Sequence, residues 1–156
     1  MSIKVCVFDA YGTLFDVASA ARELALQPGR ERLKNCWVKL ANDWRQKQLQ
    51  YSWLRTIMNK HIDFWSITQD GLDWALEANN LSDDVDLRKE LLKLYFNLTA
   101  YPEVSQMLSD LRSNHILTGI LSNGSPDMLN GAVQSAGISD LLNEVISVED
   151  VGLFKP

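Results

Sequence analysis

The 156-residue sequence predicts a doubly wound parallel α/β sheet with a block of helices inserted behind its first strand. Three features predict it. The run "IKVCVF" is apolar and β-branched, as a buried parallel strand is, and it stops at the acid and turn of "DAYG". Positions 17–98 then carry helical periodicity and no convincing strand. From 99 onward helix, strand, helix and strand follow one another, the alternation that builds a parallel sheet. The expected division is a core of 1–16 and 99–156 around a helical cap of 17–98.

Taken in order, "IKVCVFDAYG" is the first strand and its turn. Leu33, Trp37, Leu40 and Trp44 recur at helical spacing and predict one amphipathic helix. "TQDGLDWALEANNL" and "DLRKELLKLYFNL" predict two more. Trp37, Trp44, Trp53, Trp65 and Trp74 all fall in this region and are expected to form the core of a small bundle. "PEVSQMLSDLRSN" predicts a helix with Pro102 near its first turn, and "ILTGILSNG" a second strand. In "SPDMLNGAVQSAGI" Ser125 is the expected N-cap, with Pro126 at the first helical position and Asp127 favoured by the helix dipole. "EVISVED" is the third strand. Three strands leave such a sheet with an uncovered edge. The core is therefore expected to be incomplete within these residues, the front part of a longer protein.

Composition narrows the function classes. Hydrophobic residues are 46% and charged residues 22%, ordinary for a globular domain. A net charge of −5, from 15 basic and 20 acidic residues, argues against nucleic acid as partner, because phosphate binding needs a basic patch. Cys6 and Cys36 stand outside any metal-spaced or CxxC pattern and read as reduced packing thiols. The first strand pattern begins at once, so no leader is expected, and no apolar run reaches the length of a membrane helix. A cytoplasmic protein without a membrane partner is the expectation. His61 and His115 are far apart and lack partners at zinc spacing, so no metal site is expected.

In doubly wound sheets chemistry sits at the carboxyl ends of the strands. Asp9, the pair Ser122-Asn123 and Lys155 all fall there. Each alone reads equally as a turn residue, a loop or a solvated cation; together they mark one rim.

At these residues the chain resembles a known family. "FDAYGTLFD", "LSNGSPDM" and "VGLFKP" resemble the first three motifs of the haloacid dehalogenase superfamily, whose sheet is Rossmann-like. "WRQKQLQYSWLR" at 44–55 and "DFW" at 63–65 are similar to its L-2-haloacid dehalogenase branch. The resemblance implies hydrolytic conversion of L-2-haloalkanoic acids to D-2-hydroxyalkanoic acids. Asp9 would be the nucleophile and form an ester that water then opens, with 2-haloalkanoate and water as the only small-molecule partners and no cofactor. It also implies a homodimer joined through the cap.

The same resemblance assigns roles. Lys155 would hold Asp9 anionic; an opposite charge at about 4 Å is worth about 4 kcal/mol at an effective dielectric of 20. Ser122 and Thr13 resemble residues that hydrogen-bond the nucleophile or the substrate carboxylate, although Thr13 also reads as a turn hydroxyl. Arg45 would stabilise departing halide, and Asn123 would be a second halide contact. Tyr11, Gln46, Leu49 and Phe64 resemble the lining of the substrate's alkyl group and halide, with plain packing equally open for these four. Phosphatases of the superfamily carry a second Asp where this chain has Tyr11. A phenol with a reference pKa of about 10 is a poor donor to a phosphate ester leaving group. Halide needs no proton to leave.

The family's fourth motif, which helps activate the hydrolytic water, is not found in these residues, so the function is assigned to the intact protein. Two rivals remain at this level: a Mg-dependent phosphatase of the same superfamily, and a non-catalytic module acting through its Trp-rich helices.

Overall fold

A computed structural model describes residues 3–155. They fold as two compact units: the chain up to Asp16 with Asn97–Lys155, and Val17–Phe96.

The first unit holds three parallel strands, β1 (Val5–Phe8), β2 (Leu117–Ser122) and β3 (Glu144–Ser147), in the order β1-β2-β3. Phe8 stands opposite Ile120, and Ser122 opposite Ser147, so the three strand ends lie side by side. Helices α6 (Val104–Ser113) and α7 (Pro126–Ser135) connect them. Side chains alternate between the faces of a strand. Thr118, Ile120, Ser122 and Ser147 share a buried face. Val5, Val7, Leu117, Leu121 and Ile146 share the other and are exposed. This corrects the expectation of a buried first strand: within the described residues β1 is covered on one side.

Helix α7 begins as its sequence predicts. Ser125 is the N-cap, its hydroxyl oxygen accepting the Met128 N–H, with Pro126 in the first turn. Pro102 differs slightly, lying just ahead of α6, whose N-cap is Glu103.

The second unit is helical throughout: α1 (Ser19–Ala25), α2 (Glu31–Lys34), α3 (Trp37–Ile57), α4 (Phe64–Ala78) and α5 (Val85–Phe96). The stripe of Leu33, Trp37, Leu40 and Trp44 is not one helix. Helix α2 ends at Lys34 with Asn35 as its C-cap, and the backbone leaves helical geometry at Cys36 (φ −138°), the N-cap of α3. Leu33, Leu40 and Trp44 are buried nonetheless. Burying Leu40, Ile67 and Leu72 contributes about 1.5–3 kcal/mol each. The Trp44 and Tyr95 rings meet at 4.6 Å between centroids. The tryptophans do not form a common core: Trp53 is 50% and Trp74 39% exposed. Lys47 Nζ lies 4.1 Å from the Trp74 ring centroid, a cation–π contact at the surface.

Asp63 caps α4. One carboxylate oxygen accepts the Ser66 N–H at 2.8 Å and the other the Ser66 hydroxyl at 2.6 Å. Partial burial works against the Asp63 charge, but these hydrogen bonds outweigh it and hold the carboxyl below its ordinary value. No helix among the described residues is long and apolar enough to cross a membrane.

Candidate active site

Asp9 is the first residue past β1, and the loop behind it is pinned by its own backbone. The Ala10 carbonyl accepts the N–H groups of Thr13, Leu14 and Phe15 at 3.3, 2.9 and 3.0 Å. Gly12, at φ 89°, supplies the left-handed turn and donates to the Phe15 carbonyl at 2.8 Å. Leu14 and Phe15 plug into the core beneath, and Asp16 N–H donates to the Thr99 carbonyl at 2.9 Å. A rigid loop of this kind fixes the carboxylate it carries.

Lys155 reaches that carboxylate. Its Nζ donates to Asp9 Oδ1 at 2.7 Å and to the Leu121 carbonyl at 2.5 Å. Its own backbone N–H donates to Asn123 Oδ1 at 2.7 Å. The end of β2 thus holds the lysine at two points before it meets Asp9. The Asp9 side chain is 38% exposed and that of Lys155 28%. Water screens a pair so placed, which brings its worth below the sequence-based 4 kcal/mol towards the range of about 0.2–1 kcal/mol for surface pairs. Orientation of the carboxylate, more than stability, is what the contact supplies.

The loop after β2 is built as tightly. Ser122 is buried, and its hydroxyl oxygen accepts the Gly124 N–H at 3.1 Å. Ser147 Oγ donates to the Gly124 carbonyl at 2.7 Å and accepts the Glu149 N–H at 3.2 Å. Sequence reasoning missed Ser147, although its register opposite Ser122 is the signal that finds it. Tyr11 is 3% exposed. A Cβ on Gly124 would fall 2.6 Å from Tyr11 Cε2, so the loop lies directly on the tyrosine ring. Thr13 is exposed in the first loop.

Asp9, Tyr11, Thr13, Ser122, Asn123 and Lys155 therefore belong to the sheet unit, and Arg45, Gln46, Leu49 and Phe64 to the helical unit. On α3, Arg45 Nη1 donates to Gln48 Oε1 at 2.8 Å. Gln46 is exposed, Leu49 half-buried, and Phe64 buried at the start of α4. Gln48 is fully buried and was not singled out by sequence reasoning.

Residues 3–156 match the family of haloacid dehalogenase-like hydrolases. The chain is 42% identical over 154 residues to (S)-2-haloacid dehalogenase 1 of Pseudomonas sp. strain CBS-3, covering 99% of this chain and 66% of that protein. It is 43% identical to (S)-2-haloacid dehalogenase of Xanthobacter autotrophicus, covering 99% of this chain and 58% of that one. The L-2-haloacid dehalogenase of Xanthobacter autotrophicus solved with chloropropionic acid covalently bound superposes with a TM-score of 0.84 at 42% identity, covering 99% of this chain and 60% of that chain. The chain thus spans under two thirds of the length of these relatives.

Proposed function

The chain belongs to the haloacid dehalogenase-like hydrolase family, and from that membership we propose that the intact protein hydrolyses L-2-haloalkanoic acids to D-2-hydroxyalkanoic acids through an ester on Asp9. The observation that carries this reading is the Asp9–Lys155 contact at 2.7 Å. Lys155 engages Oδ1, which leaves Oδ2 to approach C2 of the substrate opposite the carbon–halogen bond. As the Oδ2–C2 bond forms, halide departs with the bonding pair and C2 inverts. Water then attacks the Asp9 carboxyl carbon. The bond from that carbon to the bridging oxygen breaks, so C2 is not inverted again. The hydroxyacid leaves with an oxygen that was Asp9's, and a proton passes to solvent.

Further roles follow in the same reading. Arg45 receives halide, for which a multi-donor cation is suited. Asn123 has its Oδ1 on the Lys155 amide, which turns its NH2 outward as a donor for an anion. Ser122 and Thr13 offer hydroxyls to Asp9 or to the substrate carboxylate. By the family resemblance, Tyr11, Gln46, Leu49 and Phe64 are assigned to the lining of the substrate's alkyl group and halide. Tyr11 stands where a phosphatase needs an acid, and halide leaves without one. The reading extends to a cytoplasmic homodimer, for which the exposed Trp53, Leu54, Ile57 and Met58 at the end of α3 offer apolar surface.

The test is chloride release from L-2-chloropropionate with a chelator present, beside hydrolysis of a phosphate monoester. Chelator-resistant chloride release supports the reading. Phosphatase activity that the chelator abolishes, without dehalogenation, overturns it.

A further inference from the structure

We propose that Gln48 is the positioning residue of Arg45, holding its guanidinium in one orientation for the halide-displacing step. The inference rests on the role given above to Arg45. A fully buried amide in mid-helix is costly unless its polar atoms are paired. Here its orientation is dictated by a chain of hydrogen bonds. The Phe64 carbonyl can only accept, so the Thr68 hydroxyl donates to it, at 2.7 Å. The Thr68 oxygen is then free to accept, and Gln48 Nε2 donates to it at 2.7 Å. Gln48 Oε1 must therefore face the other way. It accepts Arg45 Nη1 at 2.8 Å and the Tyr95 hydroxyl at 3.2 Å.

The scaffold around this chain is equally constrained. Trp44 Nε1 donates to the Thr68 carbonyl at 2.8 Å, tying α3 to α4 one residue before Arg45. Gly71 lets the helices approach there: a Cβ on it would lie 3.2 Å from the Gln48 backbone nitrogen and 3.4 Å from Trp44 Cδ1. Thr68 and Gln48 are both fully buried, and Tyr95 nearly so. A leucine at 48 would fill this space. An amide held from behind by Thr68 instead presents a fixed carbonyl oxygen to a cation, a charge-assisted hydrogen bond of the stronger kind. This bond narrows the rotamers open to a long arginine, each of which would place the guanidinium differently. Gln48 acts through Arg45 and touches no reacting atom.

The test is a double-mutant cycle in the intact protein, read by single-turnover ester formation with L-2-chloropropionate and, separately, by hydrolysis of the ester. Gln48→Met keeps the bulk and removes the acceptor. It is expected to slow ester formation about ten- to a hundredfold, the scale of a misplaced catalytic group. Ester hydrolysis is expected to be unchanged. On an Arg45→Ala background the same change should add nothing, because its effect passes through the missing guanidinium. Thr68→Val, which frees the amide to flip, should slow the same step to a lesser degree, and it answers the question if Gln48→Met does not fold. Equal slowing of both half-reactions, or losses that add on the Arg45→Ala background, would make Gln48 a packing residue and overturn the inference. If Arg45→Ala slows ester formation and neither Gln48→Met nor Thr68→Val does, this inference alone fails. If Arg45→Ala leaves ester formation unchanged, the role given to Arg45 fails with it.

Discussion

Lys155 meets Asp9 across 146 residues of sequence, Nζ to Oδ1 at 2.7 Å, and the same nitrogen is fixed to the Leu121 carbonyl at 2.5 Å. A carboxylate so held presents one oxygen to an incoming substrate, not two. Lys155→Met should therefore lower kcat/KM on L-2-chloropropionate by about a hundredfold or more, the scale of losing a preorganised electrostatic partner. Lys155→Arg should not restore it, because a planar fork does not replace a point charge that serves both acceptors. Wild-type rates in Lys155→Met would remove the lysine from the reaction.

The packing of Tyr11 on Gly124 predicts a coupled pair. Gly124→Ala would bring a methyl to 2.6 Å from the Tyr11 ring and 3.2 Å from Leu129 Cδ2. Overpacking of this sort costs about 1–3 kcal/mol, read by urea unfolding. Tyr11→Ala together with Gly124→Ala should recover part of the loss that Gly124→Ala causes, since the clash is with that ring. Strict additivity of the two changes would mean the strain lies elsewhere.

At the start of α4, Asp63→Ala removes an N-cap and should cost about 1 kcal/mol near neutral pH. The sign of its pH dependence follows from the lowered carboxyl value. A carboxyl held lower in the folded state stabilises above its unfolded value, about 3.9, and that stabilisation is lost as pH falls through the folded value. The unfolding free energies of wild type and Asp63→Ala should therefore converge in acid. A gap that stays constant with pH would show that the charge of Asp63 contributes nothing.

What was legible in the sequence was mostly local. The cap at Ser125-Pro126 is decided by neighbouring residues, and it forms as read. The parallel strands and the helical insertion follow from periodicity, which survives without knowledge of neighbours. Burial does not. Trp53 and Trp74 have the composition of core residues, yet which face of α3 or α4 is covered depends on where other helices run. The stripe from Leu33 to Trp44 keeps helical spacing across Cys36, so the break between α2 and α3 is invisible to a count of positions. Among the proposed site residues, Asp9 and Lys155 were legible as a pair through the family motifs. Gln48 and Ser147 were not, because their polar partners, Thr68 and Tyr95 for one and the Gly124 carbonyl for the other, come from distant segments. Gln48 lies one turn from Arg45, but spacing alone does not say that an amide is buried.

The central claim is that Asp9 itself bonds to the substrate carbon. Its most direct test is a single turnover of the intact protein, in excess over L-2-chloropropionate, in oxygen-18 water, followed by mass analysis of the peptide that contains Asp9. The account predicts that the heavy oxygen enters the Asp9 carboxylate and that the first D-lactate formed is unlabelled. Labelled D-lactate from the first turnover, with no label in the peptide, would mean that water attacks the substrate directly and would contradict it.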